Sequence, residues 1–72
     1  MIAGVPAGPV REMPAAYLPR AEREQMLAGV LAGVEMGDWD RVIARWMAGW
    51  DTPVVVTVAS LIARAREAGP AW

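Results

Sequence analysis

Chemistry in this chain would have to come mainly from Ser60, two threonine hydroxyls, eight carboxylates and seven arginines, because there is no cysteine and no histidine. Their absence removes the Cys-His pair, the Ser-His-Asp triad and the imidazole proton shuttle, along with the usual ligands of structural metal sites. Ser60 has no base near it in sequence and reads as a small polar side chain on an exposed helix face. Asp38, Asp40 and Asp51 could serve acid-base work or hold a divalent cation. Asp38 and Asp51, however, stand at expected helix starts, where capping of free N–H groups explains them. The stretch 28-AGVLAGVEMG-37 has glycines but neither the lysine of a phosphate loop nor the strand that precedes a dinucleotide site. The expectation is therefore a protein that is not an enzyme, with no cofactor and no metal.

The elements that would position these residues follow from proline, glycine and apolar spacing. Residues 1–18 carry three of the six prolines without a sustained period, and read as an extended or disordered arm. From Pro19 the pattern is helical, with proline favourable at the first helical position and Glu22 and Glu24 at the positive end of the dipole. A first helix over 19–35 would bury Leu27, Val30, Leu31 and Val34, and Gly37 would stop it. A second, over 39–48, has Asp38 as N-cap and Gly49 closing it in the left-handed conformation. A third, over 53–68, begins at Thr52-Pro53 and ends at Gly69-Pro70. Its 53-PVVVTVASLI-62 run is β-branched enough to suggest a strand. The polar positions Thr57, Ser60, Arg64 and Glu67 nevertheless recur at helical spacing, leaving Val54, Val55, Val58, Leu61, Ile62 and Ala65 for the core.

These readings predict an all-α fold, a compact three-helix bundle over 19–69 with an extended N-terminal arm at 1–18 and a short tail at 70–72. With 72 residues and no disulfide, its stability should be marginal. Trp39 and Trp46 lie about 20° apart around the second helix with Val42 and Ile43 beside them, and read as its core stripe. Trp50 follows a helix-ending glycine and could either cap the bundle or face a partner.

Function has to be read from what such a bundle leaves outside. Residues 1–10 make a poor signal peptide, and the longest apolar run, 26–34, is too short to span a bilayer. The lack of cysteine fits a reducing cytoplasm. The composition is 56% hydrophobic, more than a unit of this size can bury, so some of Met26, Met36, Met47, Trp50, Val56 and Trp72 should be exposed. The leading expectation is a protein-protein interaction or accessory module able to self-associate as a homodimer, with Arg45, Met47, Trp50, Val56 and Trp72 as candidate interface residues. The competing expectation is a helix-turn-helix regulator whose third helix would touch DNA through Thr57, Ser60, Arg64 and Arg66. A net charge of −1, three valines at the start of that helix and Asp51 beside it speak against nucleic acid.

The segment 37-GDWDRVIARWMAGWDTPVVVTVASLIARAR-66 resembles small uncharacterised proteins of actinobacteria and their mobile elements. The likeness rests on Trp39-Asp40-Arg41, on the Trp-x-Ala-Gly-Trp-Asp motif from Trp46 to Asp51, and on Arg64 to Arg66. It covers about 30 residues, excludes the arm and implies no particular activity. Where those proteins mix alanine and threonine, this chain has Val54, Val55 and Val56.

The regulator reading predicts salt-sensitive retention of duplex DNA that falls when Arg64 and Arg66 become alanine; no retention at low salt removes it.

Overall fold

The computed structural model describes residues 4–69. Three helices follow in order, α1 (Arg20–Val30), α2 (Asp38–Met47) and α3 (Thr52–Ala68), with no strand among the described residues. This is the all-α three-helix architecture that the apolar spacing predicts, and the β-branched run of α3 is helical throughout. Pro53 occupies the first turn of α3, where its missing N–H has no intrahelical role.

The helix ends differ from expectation for identifiable reasons. α1 stops at Val30, well before residue 35, because Gly33 adopts φ +83° and turns the chain. That is a conformation glycine reaches without a Cβ clash. Val34, expected in the core, is thereby carried to the surface. At the start of α2 the N-cap is Gly37 rather than Asp38, and Asp40 Oδ2 accepts the Gly37 N–H at 2.9 Å. This is the carboxylate half of a capping box, and glycine has no side chain for the other half. Gly49 does not take the left-handed conformation. α2 instead tightens through bonds from Gly49 N–H to Trp46 C=O and from Trp50 N–H to Met47 C=O, both at 3.0 Å. Thr52 is likewise inside α3, with Asp51 as the N-cap residue.

The core lies between α1 and α3. Met26, Leu27 and Val30 meet Val55, Val56 and Ala59, with Val5 and Ala48 completing the cluster. On α3 the buried positions are Thr52, Val55, Val56, Ala59 and Ser60, a stripe at i, i+3, i+4, i+7 and i+8. The polar spacing used above therefore misplaces the buried face: Val54 and Leu61 are exposed, and Ser60 is fully buried. The reason is that Ser60 has a partner. Its hydroxyl donates to the Pro6 carbonyl at 2.8 Å, which removes the desolvation cost of burying it. The same bond anchors the arm at Pro6, and Val5 is buried in the core cluster beside it.

One junction ties the elements together. Arg23, half-buried on α1, donates from Nε to the Ala48 carbonyl at 2.9 Å and from Nη1 to the Leu18 carbonyl at 3.1 Å. Leu18 in turn is held by Thr52, whose hydroxyl oxygen accepts the Leu18 N–H at 3.0 Å and donates to its carbonyl at 3.2 Å. Arm, α1, the end of α2 and the start of α3 thus meet at one guanidinium and one hydroxyl. Nearer the surface, Arg20 Nη2 donates to the Arg45 carbonyl at 3.0 Å, and its Nε pairs with Glu24. At the opposite end of the bundle Arg66 Nη1 donates to the Val30 carbonyl at 2.7 Å. Arginines from neighbouring elements therefore satisfy last-turn carbonyls of α1 and α2, where a helix leaves acceptors unpaired and favours positive charge.

Replacing Arg23 with alanine should lower stability by about 2 kcal/mol, because two partly buried carbonyls lose a charged donor. Arg20→Ala, on an exposed pair, should cost less than about 1 kcal/mol. Urea unfolding of both variants checks this; equal losses would show that Arg23 is not the special junction.

Candidate interface on the second helix

α2 is the element whose packing departs most from its sequence pattern. The sequence DWDRVIARWM supplies acid at the N-terminal end and Arg45 in the last turn, both suited to the dipole. Around its axis Trp39, Val42 and Trp46 form one side and Ala44 and Ala48 the opposite one, with Ile43 and Met47 on the flank between them. The expectation that Trp39 and Trp46 form the core is corrected: Trp39 is 70% exposed and Trp46 56%. The inward side is Ala44 and Ala48, with Ala48 buried against α1 and Ile43, Ala44 and Met47 half-buried. No residue within α2 is fully buried.

Long arginines of α1 hold the end of α2. Arg23 reaches the Ala48 carbonyl and Arg20 the Arg45 carbonyl, whereas beside Ala44 and Ala48 a cleft of about 290 Å³, lined also by Leu27, Ala28 and Leu31, separates α2 from α1. Gly49 sits close to Arg20, since a Cβ there would stand 3.1 Å from Arg20 Nη1 and 3.2 Å from the Trp46 carbonyl. The inward side is still loosely filled: a cleft of about 420 Å³ lies between α2 and the α1–α3 pair, lined in part by Leu31, Ile43, Met47 and Ile62.

The outer side is continuous. Trp50, 43% exposed, folds back so that its ring meets Trp46 edge to face, with centroids 4.8 Å apart and planes at 77°. This is a favourable geometry for two indoles. Trp39, Val42, Trp46 and Trp50 therefore make one exposed stripe along α2, in a protein whose core is built from Val, Ala, Leu and Met. Three indoles exposed to that degree present roughly 300–400 Å² of aromatic surface, comparable to the largest patch of a typical monomer.

The other expected site residues are dispersed. Arg45 is exposed at the edge of the stripe, and among the described residues its guanidinium has no hydrogen-bond or ion-pair partner. Met47 is half-buried on the inward side. Val56, expected at an interface, belongs to the core at 6% exposure because the buried face of α3 is rotated from the expected one. Trp72 lies outside the described residues. Of the residues considered for DNA, Ser60 is buried, correcting its expected exposure, and Thr57 donates to Pro53 C=O of its own helix at 2.8 Å. Arg64 Nε bonds to the Ser60 hydroxyl oxygen at 3.1 Å, and Arg66 holds the end of α1. Trp39, Val42 and Trp46 are the surface residues that sequence reasoning missed. The signal available was the Ala44/Ala48 pair on the opposite face.

Among the described residues no three acidic side chains gather in metal-binding geometry, and no helix is long and apolar enough to cross a membrane. No family model, curated protein or solved structure matches this chain, so the geometry itself carries the functional reading.

Trp39→Ala, studied by urea unfolding at low protein concentration, should cost less than about 1 kcal/mol, against roughly 3–5 kcal/mol for truncating a core tryptophan. A loss in the core range would mean that the indole is buried in solution.

Proposed function

We propose that this chain is a small non-enzymatic helical module that acts by protein-protein contact through the outer face of α2. The observation that carries the reading is the stripe formed by Trp39, Val42, Trp46 and Trp50. Leaving indoles in water forgoes about 25 cal/mol for each Å² that could be covered. The bundle instead orders them on a helix, with Trp46 and Trp50 braced against each other. Tryptophan is the residue type most enriched where interfaces gain their affinity, and an ordered aromatic side chain loses little entropy on binding. Arg45 at the rim adds a charge free to pair with a partner. Of the five interface residues expected from sequence, Trp50 and Arg45 belong to this face, and Trp39, Val42 and Trp46 join them.

Nothing in the placement of Thr57, Ser60, Arg64 and Arg66 favours a DNA-reading α3, since Ser60 is buried and both arginines already bond within the fold. The lack of cysteine is in keeping with a reducing cytoplasm, where we place the interaction.

The immobilised chain, exposed to extract of its native cell, should retain a protein, or a second copy of itself, in a nuclease-resistant manner. A folded Trp39→Gln/Trp46→Gln variant should lose it. Retention that survives the substitutions, or that nuclease abolishes, would falsify the reading.

A further inference from the structure

We infer that the partner for this face is a second copy of the chain, docked with the two α2 helices antiparallel; the inference rests on the interface reading above. The pattern of α2 is self-complementary in that orientation. Trp39 and Trp46 are seven residues apart, about 10 Å along the axis and within about 20° around it. A two-fold axis perpendicular to the helices, passing between Val42 and Ile43, sets Trp39 of each copy against Trp46 of the other. Under that symmetry each edge of the stripe meets the same edge of the second copy.

The charges then decide between orientations. Asp38 and Arg45, also seven apart, stand on one edge of the stripe at its opposite ends, and both are exposed. Among the described residues neither side chain has an ion-pair partner, the sole pair there being Arg20–Glu24. Antiparallel docking brings Asp38 beside Arg45 of the second copy and Arg45 beside its Asp38, giving two ion pairs at the rim and opposed helix dipoles. Asp40 and Met47 lie on the other flank of α2, where Met47 packs inward against the core, so no like-charged pair stands in direct register there. Parallel docking would put Asp38 beside Asp40 of the second copy and align the dipoles, both unfavourable.

The area sets the strength. Roughly 300–400 Å² of indole from each copy is about half of the ~800 Å² a standard interface takes from each partner. The dimer should therefore be reversible, assembling in the micromolar range rather than permanently. A membrane surface is the less favoured occupant, because the polar residues of α2 are two aspartates and two arginines rather than the excess of basic residues typical of helices that lie on anionic lipid.

Sedimentation equilibrium of the full chain across the micromolar range provides the test, with circular dichroism to verify that each variant is folded. The wild type should show a monomer-dimer equilibrium. Asp38→Arg and Arg45→Glu should each weaken it by roughly tenfold, since each places like charges at both rim contacts. An equimolar mixture of the two variants should recover wild-type dimerisation, because arginine at 38 then meets glutamate at 45 and Arg45 meets Asp38. A wild type that stays monomeric at high micromolar concentration overturns the inference, as does a mixture that associates no better than its components. Monomers that bind vesicles of phosphatidylglycerol and phosphatidylcholine overturn it in favour of lipid. A monomer that still captures another protein through Trp39 and Trp46 sinks only the second copy, whereas a dimer indifferent to Trp39→Gln/Trp46→Gln sinks the interface reading as well.

Discussion

The structure depends on the way Arg23 holds the end of α2. Its guanidinium reaches the Ala48 and Leu18 carbonyls together, and Leu18 is clasped by the Thr52 hydroxyl. A last-turn carbonyl with no intrahelical partner is expensive to leave unpaired when partly buried. A planar cation with several donors can satisfy two at once, which a lysine could not do with the same geometry. Because the donor sits on α1, the end of α2 must come close to α1. Ala48 is buried at that contact, while Trp39 and Trp46 on the other side of α2 stand exposed. The exposed aromatic face lies on the side of α2 away from that contact.

This arrangement divides the work of stabilisation. α1 and α3 form the apolar core with help from Val5, while α2 is held by arginine bonds to the carbonyls at its end and by Met47 against the core, and contributes no fully buried residue of its own. Its apolar side chains are therefore available for contact outside the fold. Small bundles are short of buried area to begin with. One that leaves three tryptophans at its surface has more to gain from association than one that has sealed them. The arm acts in the opposite sense, closing the α1–α3 seam by placing Val5 in the core and Pro6 over Ser60.

Much of the fold was legible in the sequence because it depends on local signals. The three helices follow from 3.6-residue periodicity and from prolines placed at helix starts. Even the β-branched run of α3 was recognisable as helical from the spacing of Thr57, Ser60, Arg64 and Glu67, although that spacing pointed to the wrong buried face. Boundaries were legible only in part: Gly33 and Gly49 look alike in sequence, yet Gly33 takes the left-handed conformation and Gly49 does not. The candidate interface was half legible. Trp50 and Arg45 stood out by type and position, but Trp39 and Trp46 were assigned to the core because a large apolar stripe on an amphipathic helix usually faces inward.

By itself the sequence determined the helical class, the absence of cysteine and histidine chemistry, and the presence of more apolar surface than one small domain can bury. These follow from composition and periodicity, which need no knowledge of what lies next to what. Only the tertiary structure decided which side of α2 and which face of α3 are buried. Both choices turn on partners distant in sequence, Arg23 for Ala48 and Pro6 for Ser60. A hydrogen bond across tens of residues can reverse the preference that side-chain polarity alone would set, since a satisfied serine is cheap to bury and a long arginine can reach a helix-end carbonyl on another element.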